Sequence, residues 1–333
     1  MKRRTFLSAA AASTAAVAAS AFPKPALSQN RMNWRMVTTW PKNLPGLGTG
    51  AQDFADRVTK CSGGRLTVTL YASGEIVPAF ESIDAVANGT VELGHGAPYY
   101  WKGKAPATQF LANFPFGLTA QEYNAWYYYG GGMQICDDIY RSQLGCKFLA
   151  CGNTGAQHGG WSRKEIKSVD DYKGLKARIP GIPGEVLRKM GVTVVNLPGS
   201  EVASALASGA IDMVEWNNAK AWDGLPDDLK AIVEQCAAAT NLTMLSEFQA
   251  RSGPVLQSFL NDHGVIMNEL SDDILTTIGN VCGEVISDLI QADKTSAKAF
   301  ASMAKFRKNQ MVYTATSDAD FVRARALPFK FPG

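Results

Sequence analysis

The chain has 333 residues, 46% hydrophobic and 19% charged, with a formal net charge of +3. Its basic excess is gathered at the start, so it gives no support to a nucleic-acid or anionic-membrane partner, which would need a basic patch on the folded protein. No internal apolar run reaches the ~18–20 residues of a membrane span.

The first segment reads as an export signal. Lys2-Arg3-Arg4-Thr5-Phe6-Leu7 is a charged start with paired arginines, an alanine-rich run follows to Ala21, and Ala26-Leu27-Ser28 has the small-x-small form of a cleavage site. The arginine pair points to the twin-arginine route, and Pro23 and Pro25 argue against a buried helix there. Removing residues 1–28 takes away Lys2, Arg3, Arg4 and Lys24 and no acid, which moves the net charge from +3 to about −1. The remaining chain of about 300 residues is long enough for a large core, usually divided into two lobes.

In chain order, Met32–Thr38 predicts a strand, and Ala51, Phe54, Ala55 and Val58 fall at helical spacing. Leu66, Val68 and Leu70 alternate with threonines as a strand does, and Phe80 to Ala87 predicts a helix ended by Gly89. A strand over 90–94 then leads into Pro98-Tyr99-Tyr100-Trp101. This strand–helix–strand order predicts an α/β fold with largely parallel sheets. Residues 164–174 read as a polar helix, and Leu175–Ile179 as a strand carrying Arg178. A strand over 211–214 leads to Glu215 and Trp216, and apolar residues at intervals of three or four predict one long helix from Asp272 to about Phe306. Of the six cysteines, Cys146 and Cys151 are the local candidates for a disulfide, and buried free thiols are the competing reading for most.

Catalytic signatures are weak. The chain has no nucleophile-elbow or phosphate-loop motif, and His158 near Ser162 is the one pairing that suggests an exported hydrolase. Binding chemistry is better represented. Arg178, at a strand end before Pro180, offers a fork that matches a carboxylate. Gln157 lies in the glycine-rich run Gly152 to Gly160, and Glu215 follows an apolar strand with little local reason to be charged. An amide oxygen with a carboxylate suits a hard cation and not zinc.

Several stretches together resemble the TRAP-transporter solute-binding proteins, the DctP-like family. They are Gly74-Glu75-Ile76-Val77-Pro78, Tyr99 to Lys104, Trp126 to Gly132, Gly152-Asn153-Thr154-Gly155-Ala156-Gln157, Arg178, and Ile211 to Trp216. The nearest branch binds 2-oxo acids, lactate and related monocarboxylates with a metal ion. The resemblance implies a non-catalytic, periplasmic receptor with two α/β lobes closing over its ligand, lobe I roughly 29–150 and lobe II roughly 151–240, with the 272–306 helix spanning both. It also implies that Arg178 pairs with the substrate carboxylate. Gln157, Glu215 and the backbone oxygen of Trp216 would hold a sodium or calcium ion. Tyr100, Asn153, Tyr99 and Trp40 would line the pocket. The implied partners are the membrane subunits of an ion-driven transporter, with a homodimer through the long C-terminal helix as a further expectation. A sensory receptor of the same fold is the alternative.

The pattern departs after Glu215-Trp216. Family members continue through a Tyr-Pro-Gly-Trp stretch and another strand before an Asn-Lys-x-Ala-Trp motif, whereas here Trp216 runs directly into Asn217-Asn218-Ala219-Lys220-Ala221-Trp222. A lobe-crossing strand and a further metal ligand are expected to be missing, with weaker binding as the result.

Overall fold

The computed structural model describes residues 31–112, 114–156, 160, 162, 164–195 and 212–330, and for 212–218 the backbone alone. The expected export segment, Gln157 and His158 lie outside the described residues.

Strand β1 (Met32–Thr38) leads through a Pro/Gly loop into helix α1 (Leu47–Cys61), and β2 (Leu66–Tyr71) follows. A short α2 (Ser82–Ala87) precedes β3 (Leu93–Gly96). Helices α3 (Ala120–Tyr129) and α4 (Gly132–Ile139) come before the long strand β4 (Cys146–Asn153). A compact unit of β5 (Lys176–Arg178), α5 (Gly181–Lys189) and β6 (Thr193–Val195) is next. The chain then forms β7 (Asp212–Asn218), α6 (Ala219–Asp223), α7 (Asp227–Asp262), α8 (Asp272–Ala292), α9 (Lys294–Thr316) and α10 (Asp318–Arg325).

Two sheets result. Five strands lie in the order β2-β1-β3-β7-β4, with β1 parallel to β2 and β3, and β7 antiparallel to both its neighbours. The second sheet is the parallel pair β5-β6, bridged by α5. The large sheet is buried on both faces, as a sheet covered by helices must be. On one face α1 and the start of α7 bury Phe54, Ala55, Val58, Leu229 and Val233 against Met36, Leu66, Leu93 and Leu149. On the other, Val37, Phe148 and Ala150 meet an aromatic-rich core that includes Phe110, Tyr123, Trp126 and Tyr127. Each fully buried aromatic or aliphatic side chain contributes about 1.5–3 kcal/mol over an exposed one.

Local chemistry explains the elements that sequence periodicity foresees. In α1 the predicted face, Ala51, Phe54, Ala55 and Val58, is fully buried. Its start needs Gly48, because a Cβ there would sit 2.0 Å from the Pro41 carbonyl oxygen. Gly89 takes φ +81° past α2, a conformation that costs glycine nothing.

Three expectations are corrected, and one candidate pairing is not formed. The strand predicted at 90–94 starts at Leu93, because the Thr90 N–H donates to the Asn88 side chain and the Val91 N–H to the Ala85 carbonyl, which holds them in the turn. Residues 164–174 make no α-helix. Asp171 accepts from the Lys167 and Ser168 N–H groups and folds the segment into one tight turn, Val169–Tyr172. The helix predicted over 272–306 divides at Asp293, whose extended backbone breaks α8 from α9 while its carboxylate caps α9 through the Ser296 N–H at 2.7 Å. The longest helix is instead α7, 36 residues beginning after Pro226. Finally, Cys146 and Cys151 form no disulfide. They sit five positions apart on β4, so their side chains enter opposite faces of the sheet, Cys146 in one core and Cys151 in the other.

Candidate functional site

The carboxyl ends of β1 and β3 carry the aromatic residues that the sequence singles out. Past β3, Pro98–Trp101 makes one tight helical turn, which drives Tyr99, Tyr100 and Trp101 together into the interior. Tyr100 is 8% exposed. Its ring meets those of Tyr99 at 4.8 Å, Phe80 at 4.9 Å and Trp40 at 5.9 Å between centroids. The tilted and edge-on arrangements suit aromatic quadrupoles.

Arg178 reaches this cluster from the other sheet. It ends β5 and is half-buried, and its Nη2 donates to the Tyr100 hydroxyl at 3.1 Å. Burial pushes the Tyr100 hydroxyl above its ordinary pKa, opposed by the guanidinium charge and by its hydrogen bond. Next to Arg178, Gly181 opens α5 at φ +70°, where a Cβ would lie 3.2 Å from the Cβ of Tyr99. The two sheets therefore meet at a cation held against an aromatic wall. That is the chemistry for seating a small carboxylate.

Sequence reasoning missed the group that fixes Trp40. Its indole Nε1 donates to His95 Nδ1 at 3.1 Å, so the proton sits on Nε2, which faces the Cys151 carbonyl at 3.2 Å. His95 is fully buried, and burial pulls its pKa down to about 4 against the smaller upward effect of the Cys151 hydrogen bond. The ring is neutral near pH 7 and works as a strut between β3, β4 and the loop after β1. An alternating strand pattern carries no mark that would have separated this histidine from a packed one.

Asn153, 1% exposed at the end of β4, uses its amide to shape the loop expected to bear Gln157. Its Nδ2 donates to the Ala120 carbonyl at 3.2 Å and its Oδ1 accepts from the Gly155 N–H at 2.8 Å. A second amide chain supports the same turn, with the Gly152 N–H donating to Asn241 and Asn241 to Asn124. Neither asparagine pairing was legible in the sequence.

Glu215 and Trp216 are placed differently from expectation. The strand does not end at them but runs on to Asn218, so both lie in the middle of β7, between two neighbours. Glu215 stands opposite His95 and Leu149, and Trp216 opposite Gly94 and Phe148. In an antiparallel ladder flanked on both sides, each backbone carbonyl points in the sheet plane at a neighbouring strand. A groove of about 530 Å³ lies elsewhere, between Lys102, Gln109, Glu185, Arg188 and Asp288, and neither Arg178, Tyr100, Tyr99 nor Asn153 lines it.

The family model for bacterial extracellular solute-binding proteins, family 7, matches residues 36–219. The chain belongs to this DctP family. It is 35% identical, over 96% of its length and 98% of the relative's, to a monocarboxylate 2-oxoacid-binding periplasmic protein of Nostoc. A TRAP periplasmic solute-binding protein of Pseudoalteromonas atlantica, solved with sodium and pyruvate, superposes with a TM-score of 0.84 at 31% identity, covering 90% of this chain and 100% of that one. A TRAP solute-binding protein of Bordetella bronchiseptica, a dimer with calcium and picolinate, also gives 0.84, at 26% identity with 89% and 97% covered. The fold is thus the two-lobed one of DctP-family receptors, which are solute-binding proteins and not enzymes as a family. Among the described residues, no helix is long and apolar enough to cross a membrane.

The comparison also shows a difference in length. The Nostoc match spans 359 residues but uses 96% of this 333-residue chain, so the relative carries about forty residues with no counterpart here. The family model also stops at residue 219, one residue beyond β7.

Whether this chain holds the ion seen in those relatives can be tested on its own donors. The oxygen chemistry of Gln157, Glu215 and the Trp216 carbonyl suits sodium or calcium. The placement does not, because the Trp216 backbone belongs to the interior of the sheet. Among the described residues, no group of three or more histidine, cysteine, aspartate or glutamate side chains could hold a metal.

Proposed function

We propose that this chain is the exported, periplasmic binding component of a TRAP-type secondary transporter, and that it captures a small monocarboxylate of the 2-oxo acid or lactate type. The observation that carries the reading is Arg178 held at 3.1 Å from Tyr100 where the two sheets meet. Arg178 anchors the carboxylate, Tyr100 and Tyr99 form the wall, and Asn153 sets the loop from which Gln157 approaches. Residues 1–28 are the twin-arginine signal, 29–150 lobe I and 151–240 lobe II. The pyruvate and 2-oxoacid ligands of similar proteins support the choice of acid. The membrane subunits of the transporter are the receiving partner.

Gln157, Glu215 and the Trp216 carbonyl are the remnant of an ion site, and the added chain after Trp216 is what completes it. Acid binding here is accordingly weak and insensitive to sodium or calcium. The test is calorimetry with pyruvate, with and without each ion, on this chain and on a version carrying the Nostoc segment after Trp216. About tenfold tighter, ion-dependent binding by the extended version alone is expected. Equal, tight, ion-dependent binding by both would refute the reading of the gap, and no carboxylate binding by either would refute the function.

The C-terminal helices support a homodimer. Val312, Tyr313, Phe321, Val322 and Phe329 are each more than half exposed along α9, α10 and the following residues. Exposed apolar residues gathered on one end of a chain are the kind that a partner surface covers. The similar Bordetella protein is a dimer. Sedimentation at micromolar concentration, before and after truncation at Thr316, tests it; a monomer in both states would end this part of the proposal.

A further inference from the structure

Cys61 is the last residue of α1, and Cys236 lies in the third turn of α7. The two helices share one apolar cluster on the same face of the large sheet, in which Val58, Val233 and Cys236 are all buried. An ion pair between Arg65 and Asp228 ties their adjoining ends. Cys61 is exposed and Cys236 is buried, and the Cys61 thiol is near enough to act directly on the Cys236 thiol. Asp53, Arg57 and Cys61 follow one another at intervals of four on α1, and all three act on Cys236. Arg57 in turn donates to Asp53 at 2.5 Å.

The other four cysteines are all buried, so none of them offers an exposed thiol. Cys146 and Cys151 face opposite sides of the sheet. Cys282 points its thiol at the Pro115 carbonyl, 3.9 Å away. Cys136 is fully buried in the opposite core from Cys236.

We propose that Cys61 and Cys236 form a redox-active pair, which closes to a disulfide between α1 and α7 by exchange with a small disulfide oxidant. The exposed Cys61 reacts first. It loses its proton to water, its sulfur bonds to one sulfur of the oxidant, and the S–S bond of the oxidant breaks to release a thiolate. Cys236 then loses its proton and attacks the Cys61 sulfur, expelling the second thiolate. The two cysteines give up two electrons and two protons, and the oxidant leaves as two reduced thiols.

The order of events follows from the surroundings. The Cys236 thiol is pushed up to about 12 by burial first, then by the charge of Cys61 and its hydrogen bond. Capping Cys61 as a mixed disulfide removes both contributions of Cys61, while the Arg57 guanidinium continues to favour the Cys236 thiolate. The first step therefore prepares the second. The closed bond links residues far apart in the chain and fastens the start of α7 to α1, which restricts the unfolded chain.

The test exposes the reduced full chain to oxidised glutathione, quenches with acid, alkylates in denaturant and maps peptides without reduction. A linked Cys61–Cys236 peptide is expected, with Cys136, Cys146, Cys151 and Cys282 alkylated, and a higher melting temperature for the oxidised protein. Cys236→Ser should stop at a glutathione adduct on Cys61, and Cys61→Ser should leave Cys236 unmodified. Alkylation of both cysteines in the oxidised native chain, or a lasting glutathione adduct on Cys61 there, would overturn the proposal.

Discussion

Replacing Arg178 by lysine keeps the charge and removes the fork, which makes it the most discriminating change at the site. In the native chain Nη2 donates to Tyr100 at 3.1 Å, and the planar guanidinium presents a fork of donors that matches the two oxygens of a carboxylate. A lysine ammonium has no planar pair, so at least one charge-assisted hydrogen bond to the acid is lost. Such a bond contributes about 1.5–3 kcal/mol net, which corresponds to a fall in affinity of roughly 10- to 150-fold. Calorimetry with pyruvate reads this directly, with the melting temperature as a check on folding. Tyr100→Phe serves as the control, since it removes the hydroxyl and leaves the fork; its loss should be smaller than that of Arg178→Lys. An affinity within twofold of native for Arg178→Lys would refute the anchor role. A larger loss in Tyr100→Phe would transfer that role to the tyrosine.

Three further outcomes are expected. His95 titrates near 4 in the folded chain against 6.5 as a free side chain, so the unfolded chain binds the extra proton between those values. Its contribution is fully present above pH 6.5 and is lost as the pH falls through 4, about 3 kcal/mol in all; denaturant midpoints should lose that slope in His95→Gln, and an unchanged slope would exclude His95 as its source. Gly48→Ala places a Cβ 2.0 Å from the Pro41 oxygen and 2.5 Å from that of Lys42, both backbone atoms. It should destabilise by about 1–3 kcal/mol, read in urea, and a neutral result would show that the loop after β1 can yield. Removing sodium and calcium from the native chain should leave its melting temperature unchanged, whereas a clear fall would show a working ion site.

Much of the first half of the fold was legible because its elements are short, local and strongly patterned. Met32–Thr38 is a strand to the residue, and the α1 face buries the four residues named for it. Prediction failed where a side chain competed with the backbone. Asp171 drew the Lys167 and Ser168 N–H groups into a turn, and Asp293 did the same between two helices whose apolar spacing reads as continuous. At the site, Arg178 and Tyr100 could be chosen by chemical type, but 78 positions separate them and only the meeting of the two sheets brings them to a hydrogen bond.

What the sequence by itself determined is the α/β alternation and the likeness to the DctP family, since each is a matter of residue type, period or a known pattern. The tertiary structure alone decided that Glu215 and Trp216 belong to the middle of a sheet, that His95 holds Trp40, and that Cys146 and Cys151 enter opposite cores. The physical reason is common to all three. Pairing across a sheet or between helices is set by register and packing among segments distant in the chain, and the local pattern that builds each segment carries no record of its neighbours.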